Sequence, residues 1–146
     1  MKKMLLAGAI ALSVGAWGSA SAAQPRESTT TTSNSNYAAQ SSEAKRIVDW
    51  LVSQDAPARN GALARYADNG SFSISSKTSR ASGVPQGVDD TPSKPLPTNA
   101  RDGDVLEITH PAGEVTETWA YTRKGGAQGE WALTRYEYHR KLSPMR

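Results

Sequence analysis

The chain has 146 residues and no cysteine, which excludes a disulfide-stapled scaffold and a thiolate metal site. Its 17 Lys and Arg against 14 Asp and Glu give a formal net charge of +3, and the basic residues are scattered along the chain. A nucleic-acid partner is therefore not expected, because such partners select clustered positive charge. The only two histidines, His110 and His139, fit no ligand spacing, so we expect neither a metal nor another cofactor.

Residues 1–22 have the pattern of a secretory signal peptide. Two lysines precede an apolar run over residues 4–17, and Ala20 and Ala22 supply the small side chains that signal peptidase requires. The run is shorter than the ~20 residues that span a bilayer, so we predict cleavage after Ala22 rather than a membrane anchor. The mature protein is then periplasmic or secreted, without stable membrane insertion. Export of a cysteine-free chain favours a bacterial envelope protein.

A polar stretch over residues 23–42 follows the predicted cleavage site. It has one aromatic residue and no aliphatic residue larger than alanine. Such a segment buries too little apolar surface to offset the loss of backbone entropy, so we predict a disordered tail. A single α+β domain is then expected over residues 43–146.

The first ordered element predicted is a helix over residues 43–53, with Ser42 as its N-cap. Its apolar residues recur with helical spacing and define one buried face: Ala44, Ile47, Val48 and Leu51. A second, shorter helix is expected to bury Leu63 and Tyr66. It begins either with Pro57 in its first turn or only after Gly61.

A short strand and a long loop come next. Phe72 and Ile74 alternate with serines in residues 71–76, which indicates a strand. Residues 77–101 contain four prolines and few apolar residues, so we predict a flexible loop there, with a functional flap as the alternative.

The last third of the chain predicts three antiparallel strands, at residues 104–109, 114–123 and 130–141. Pairing Thr109 with Glu114 and Arg123 with Gly129 separates apolar from polar side chains. One face then collects Leu106, Ile108, Val115, Trp119, Tyr121, Trp131 and Leu133, and the other collects threonines and alanines. The predicted fold is α+β, with one or two N-terminal helices packed on a curved antiparallel sheet that ends in this meander.

After Leu133 the apolar parity changes, which leaves Tyr136 and Tyr138 on the threonine-rich face. Either a bulge near Thr134 turns both tyrosines inward, or they are exposed. Exposed, they form with Arg135 and Arg140 a strip of the composition found at interface hot spots. These four residues are the predicted binding site.

The segment GALARYADNGSF at residues 61–72 follows a helix and leads into a strand. The segment GEWAL at residues 129–133 is followed by a strand with Tyr136 and His139. These two segments resemble the NTF2-like (cystatin-like α+β) superfamily. The resemblance implies a helix-lined cone of curved sheet, often with a ligand pocket. None of the family's catalytic residues matches a position here, so it implies no activity.

The sequence predicts no catalytic residue, and our leading hypothesis is a non-enzymatic binding module. It would contact a protein or an envelope polymer through its sheet. The first alternative is an NTF2-like pocket for a small apolar ligand, with weak acid–base activity from Glu117, Tyr121 or His139. The second alternative is an inhibitor or immunity-type protein with one dedicated partner.

Overall fold

The computed structural model describes residues 28–81 and 95–142, which form an α+β fold. Two short helices accompany one antiparallel sheet whose strand order is β1-β2-β3-β4-β5. The elements in chain order are β1 (Ser28–Tyr37), α1 (Ser42–Ser53), α2 (Tyr66–Asn69), β2 (Phe72–Ala81), β3 (Val105–Ala112), β4 (Val115–Lys124) and β5 (Glu130–Arg140). Within these two ranges no helix has the length and apolarity needed to cross a membrane.

Helix α1 has the buried face that its periodicity predicts. Its N-cap is Ser41 rather than Ser42, and the Ser41 hydroxyl accepts a hydrogen bond from the backbone N–H of Ala44 at 3.1 Å. Ala44, Ile47 and Leu51 are fully buried. The helix therefore owes its position to this apolar stripe and its start to a serine cap.

The second helix begins only after Gly61, as one of the two predicted starts requires. A 3₁₀ turn at Leu63–Arg65 leads directly into α2. Between the helices, residues 55–61 form a non-helical segment that we call the strap. Both of its ends have left-handed backbone, with φ of 50° at Asp55 and 117° at Gly61.

Strand β1 overturns the prediction of disorder for residues 28–42. It pairs with β2 without a register shift, from Ser28 opposite Ala81 to Tyr37 opposite Phe72. The prediction of disorder considered only the burial of side chains. Backbone hydrogen bonds to the neighbouring strand also stabilise β1, and its threonines have a high propensity for strands. Strand β2 likewise extends to Ala81, into the predicted loop. The predicted signal peptide and residues 82–94 of that loop lie outside the described residues.

Strands β3, β4 and β5 overlap the three predicted strands, but the predicted registers are wrong. Ile108 lies opposite Trp119 rather than Val115, and Tyr121 lies opposite Leu133 rather than Trp131. The β3–β4 offset is an even number of residues, so the apolar side chains of these strands keep a common face. Strand β3 also continues through His110, beyond the predicted end of this strand at residue 109.

A β-bulge at Thr134 interrupts the pairing of β4 with β5. Tyr121 pairs with Leu133 and Ala120 with Arg135, so Thr134 is the extra residue. The bulge reverses the parity of β5, as the first of our two interpretations of Tyr136 and Tyr138 requires. Leu133, predicted to be buried, is 41% exposed.

The helices cover one face of the sheet, which we call the inner face; the opposite one is the outer face. The ring of Trp50 on α1 meets Tyr121 edge-on, with ring centroids 4.9 Å apart, and Tyr66 on α2 packs against Trp119. The largest fully buried apolar and aromatic side chains belong to this core: Trp119, Tyr66, Tyr121, Phe72, Ile47, Leu51, Leu106 and Ile108. Each such side chain contributes roughly 1.5–3 kcal/mol of burial free energy.

Candidate functional site

The outer face carries a groove across strands β1, β2 and β3. Two rows of cross-strand neighbours form it, Asn36–Ser73–Thr109 and Asn34–Ser75–Glu107. The volume of the groove is about 270 Å³, and it is lined by Asn34, Ser35, Asn36, Ser73, Ile74, Ser75, Glu107 and Thr109. The groove therefore presents short hydroxyl, amide and carboxylate groups on rigid strands.

Hydrogen bonds between neighbouring side chains order part of this polar surface. The Ser73 hydroxyl donates to Asn36 Oδ1 at 2.6 Å, and the hydroxyls of Thr109 and Thr118 are 3.2 Å apart. In the described strands the outer-face positions include no Trp, Tyr or Phe. The outer face therefore offers hydrogen-bonding and charged groups rather than aromatic rings.

A group of charged side chains borders the groove. The Arg135 guanidinium forms an ion pair with Glu107 and lies 3.5 Å from a carboxylate oxygen of Glu137. His139 Nε2 lies 3.6 Å from the other Glu137 oxygen. All four side chains are between 37% and 71% exposed, so solvent screens these pairs and leaves them available to a partner.

The inner face holds a carboxylate that solvent does not reach. Glu117 on β4 is fully buried, and its Oε1 accepts hydrogen bonds from the backbone N–H groups of Arg59 at 2.7 Å and Asn60 at 3.2 Å. The Tyr136 hydroxyl donates to the same oxygen at 2.7 Å. Beside it, the indole N–H of Trp119 donates to the carbonyl of Pro57 at 2.7 Å. These hydrogen bonds hold the strap against the inner face of the sheet.

His110 lies directly opposite Glu117 in the β3–β4 pairing. Its ring is stacked between Tyr66 and Phe72, with centroid distances of 4.8 and 4.5 Å, and its Nδ1 is 3.0 Å from the carbonyl oxygen of Ser71. Burial lowers the pKa of His110, and this outweighs the opposite effects of Ser71 and Glu117. Because a neutral ring donates from Nδ1 to that carbonyl, its Nε2 carries the lone pair.

Three inner-face tyrosines stay protonated at neutral pH: Tyr66, Tyr121 and Tyr136. Burial raises the pKa of Tyr66 and of Tyr136, and the nearby Glu117 carboxylate, which accepts a hydrogen bond from Tyr136, raises both further. Burial also raises the pKa of Tyr121 to about 12. The cluster therefore combines one carboxylate, hydroxyl donors and a neutral imidazole. The strap and the core separate Glu117 and His110 from solvent.

The structure divides the predicted binding strip between the two faces. Arg135 lies on the outer face, whereas the bulge places Tyr136 and Tyr138 on the inner side, where both are partly buried. Arg140 is exposed at the end of β5. Of these four residues, Tyr136 donates a hydrogen bond to Glu117 of the alternative set, and Tyr138 lies opposite Glu117 in the β4–β5 pairing.

The alternative pocket residues are also separated. Glu117 and Tyr121 are buried on the inner face, but His139 pairs with Thr116 and belongs to the outer face. The histidine next to Glu117 is His110. Its signal was present in the sequence, because Leu106, Ile108 and His110 continue one alternation, but the following proline and glycine favoured a turn.

Within residues 28–81 and 95–142, no group of three or more His, Asp or Glu side chains is placed to hold a metal ion. Comparisons with known protein families, with curated proteins and with solved structures found no match to this chain.

Proposed function

We propose that this protein is an exported, non-enzymatic binding module of the bacterial envelope that contacts a protein or an envelope polymer through the outer face of its sheet. One observation carries the proposal. The Glu117 and His110 side chains on the inner face are fully buried, whereas the outer face carries an open groove next to an exposed ionic group. The predicted signal peptide supports export, and N-terminal sequencing of protein from a periplasmic extract should begin at Ala23.

The chemistry of the outer face suits binding better than catalysis. Serine, threonine and asparagine side chains on paired strands offer donors and acceptors whose positions change little on binding. Arg135 adds a guanidinium, the charged group most enriched at interface hot spots. The proposed contact surface thus keeps Arg135 and replaces the tyrosines with the groove residues.

Co-sedimentation of the purified protein with isolated cell wall, and site-specific cross-linking in envelope extracts, test this proposal. Ser75→Arg fills the groove, and Val52→Arg is its matched control, since Val52 is half-exposed on α1. We expect Ser75→Arg to abolish binding and Val52→Arg to retain it. Equal binding by both variants would contradict the proposal. An inhibitor or immunity-type protein would give a single cross-linked partner instead of cell-wall retention.

A second candidate function is an NTF2-like pocket on the inner face, within a helix-lined, curved sheet. Its support is that Glu117 Oε2, His110 Nε2 and the Tyr121 hydroxyl are buried without a hydrogen-bond partner among the described residues. A small ligand that enters when the strap opens would meet these atoms. NMR titration with small apolar compounds should then shift the signals of Glu117 and Tyr121; shifts confined to outer-face residues would exclude this candidate.

A further inference from the structure

Strand β1 forms one end of the sheet and has an unusual composition for that position. Its sequence, STTTTSNSNY over residues 28–37, contains no charged residue and no proline. It is ten residues long, and its pairing with β2 has no register shift. Among the described residues the strand order ends at β1. A long, regular, uncharged edge strand is a template for pairing with another strand.

The opposite edge of the sheet is built differently. Strand β5 contains Glu130, Arg135, Glu137 and Arg140, and the bulge at Thr134 breaks its regularity. Charges and bulges are the devices by which sheets prevent edge-to-edge pairing. The same sheet therefore protects one edge and leaves the other without either device.

We propose that β1 pairs antiparallel with β1 of a second copy, which joins the two sheets into one continuous sheet of ten strands. The absence of charge on β1 favours a second copy of β1 as its pairing partner. An uncharged strand offers nothing to attract an acidic or basic peptide, whereas two copies of β1 place hydroxyl and amide side chains opposite one another without like-charge contacts. The two-fold arrangement is self-complementary and closes, so it yields a dimer and not a filament.

The functional consequence of this dimer rests on the proposed function, because the dimer enlarges the outer-face surface that we propose to contact a partner. Side chains opposite each other in a sheet share a face, so the pairing keeps the outer faces of both copies on the same side. Asn34 and Asn36 line the groove and belong to β1 itself. The two grooves therefore meet across the junction, and each copy extends the polar surface that its partner presents.

The test uses Thr32→Glu in the middle of the exposed edge, measured by light scattering and sedimentation across a range of concentrations. In the alignments that pair most residues of the two β1 strands, the two new glutamates lie directly opposite or diagonal to each other. Within one chain the glutamate faces Lys77, directly opposite Thr32, so the fold should be preserved. We expect the wild-type protein to be a dimer and the dissociation constant of Thr32→Glu to rise about 100-fold or more.

Two further variants make the result specific. Thr116→Glu changes the same residue type on β4, opposite His139 and away from the β1 edge, and should remain dimeric. Mixing Thr32→Glu with the double variant Thr32→Lys, Lys77→Glu, which keeps opposite charges between β1 and β2, should restore a dimer that contains one copy of each. A wild-type protein that is monomeric up to about 1 mM, an open-ended aggregate, or a Thr32→Glu variant as dimeric as wild type would overturn the inference. Ser75→Arg separates the two proposals, because it should abolish partner binding and leave the dimer intact.

Discussion

Glu117 and Glu107 lie in neighbouring strands on opposite faces of the same sheet, and their surroundings differ in every respect. Glu117 is fully buried and accepts hydrogen bonds from two backbone N–H groups and a tyrosine hydroxyl. Glu107 is more than one-third exposed and meets a single arginine. A buried carboxylate depends on its partners because water cannot replace them, whereas an exposed carboxylate loses little when its partner leaves. The inner face should therefore control stability, and the outer face should tolerate change.

The largest difference between the two faces is expected in the free energy of unfolding, when two adjacent residues of β4, one on each face, are replaced by alanine. Trp119→Ala removes a fully buried ring and the hydrogen bond to Pro57, and should lower the free energy of unfolding by about 3–5 kcal/mol. Thr118→Ala on the outer face loses a buried methyl group and the hydroxyl contact with Thr109, and should cost about 1–2 kcal/mol. Urea denaturation measures both. Similar losses for the two variants would mean that the faces do not differ as described.

A smaller contrast is expected between the two glutamates. Glu117→Gln removes the charge that three donors face and introduces a buried amide donor, so we expect a loss of about 1–3 kcal/mol. Glu107→Gln, the matched variant in an exposed ion pair, should cost between 0 and about 1 kcal/mol. Hydrogen exchange should also show faster opening at Arg59 and Asn60 in Glu117→Gln only. Unchanged exchange there would show that Glu117 does not hold the strap.

The smallest expected effect is the pH dependence of the free energy of unfolding, which we assign to His110 on the inner face. Burial lowers the pKa of His110 below its ordinary 6.5, so below that pH the unfolded chain binds a proton that the folded chain does not. The free energy of unfolding should be constant above about 6.5 and should fall as the pH drops towards the folded-state pKa. His110→Phe preserves the stacking with Tyr66 and Phe72, and should show a smaller decrease between pH 7.5 and 5.5.

The titration of Asp104 does not contribute to the loss of stability between pH 7.5 and 5.5. Burial alone would raise the pKa of its carboxyl, but hydrogen bonds from Arg80 and from the backbone N–H of Arg101 outweigh burial and lower it below 3.8. Its contribution to stability is therefore lost only at more acidic pH. If His110→Phe and the wild type lose equal stability between pH 7.5 and 5.5, the titrating group is not His110.

The candidate site was only partly predictable, and particular residues show why. The change of parity after Leu133 indicated a bulge near Thr134 as one of two interpretations, because side-chain alternation is a local property of the chain. The register was not predictable, because every even shift of β3 against β4 satisfies the same alternation and only packing against the helices selects one. His110 and Glu117 meet solely through that register. Strand β1 was missed because its hydroxyl-rich sequence has no apolar signal, and its pairing partner lies more than thirty residues away.

By itself, the sequence determined the apolar stripe of α1, the alternation that divides β3 and β4 into two faces, and the break of that alternation at Thr134. These features depend on residues a few positions apart, whose spacing is set by helix and strand geometry. The tertiary structure alone decided which strands are edges, which residues lie opposite one another, and that Glu117 is buried beneath the strap. Those outcomes depend on contacts between distant segments, which form only when the whole core packs at once.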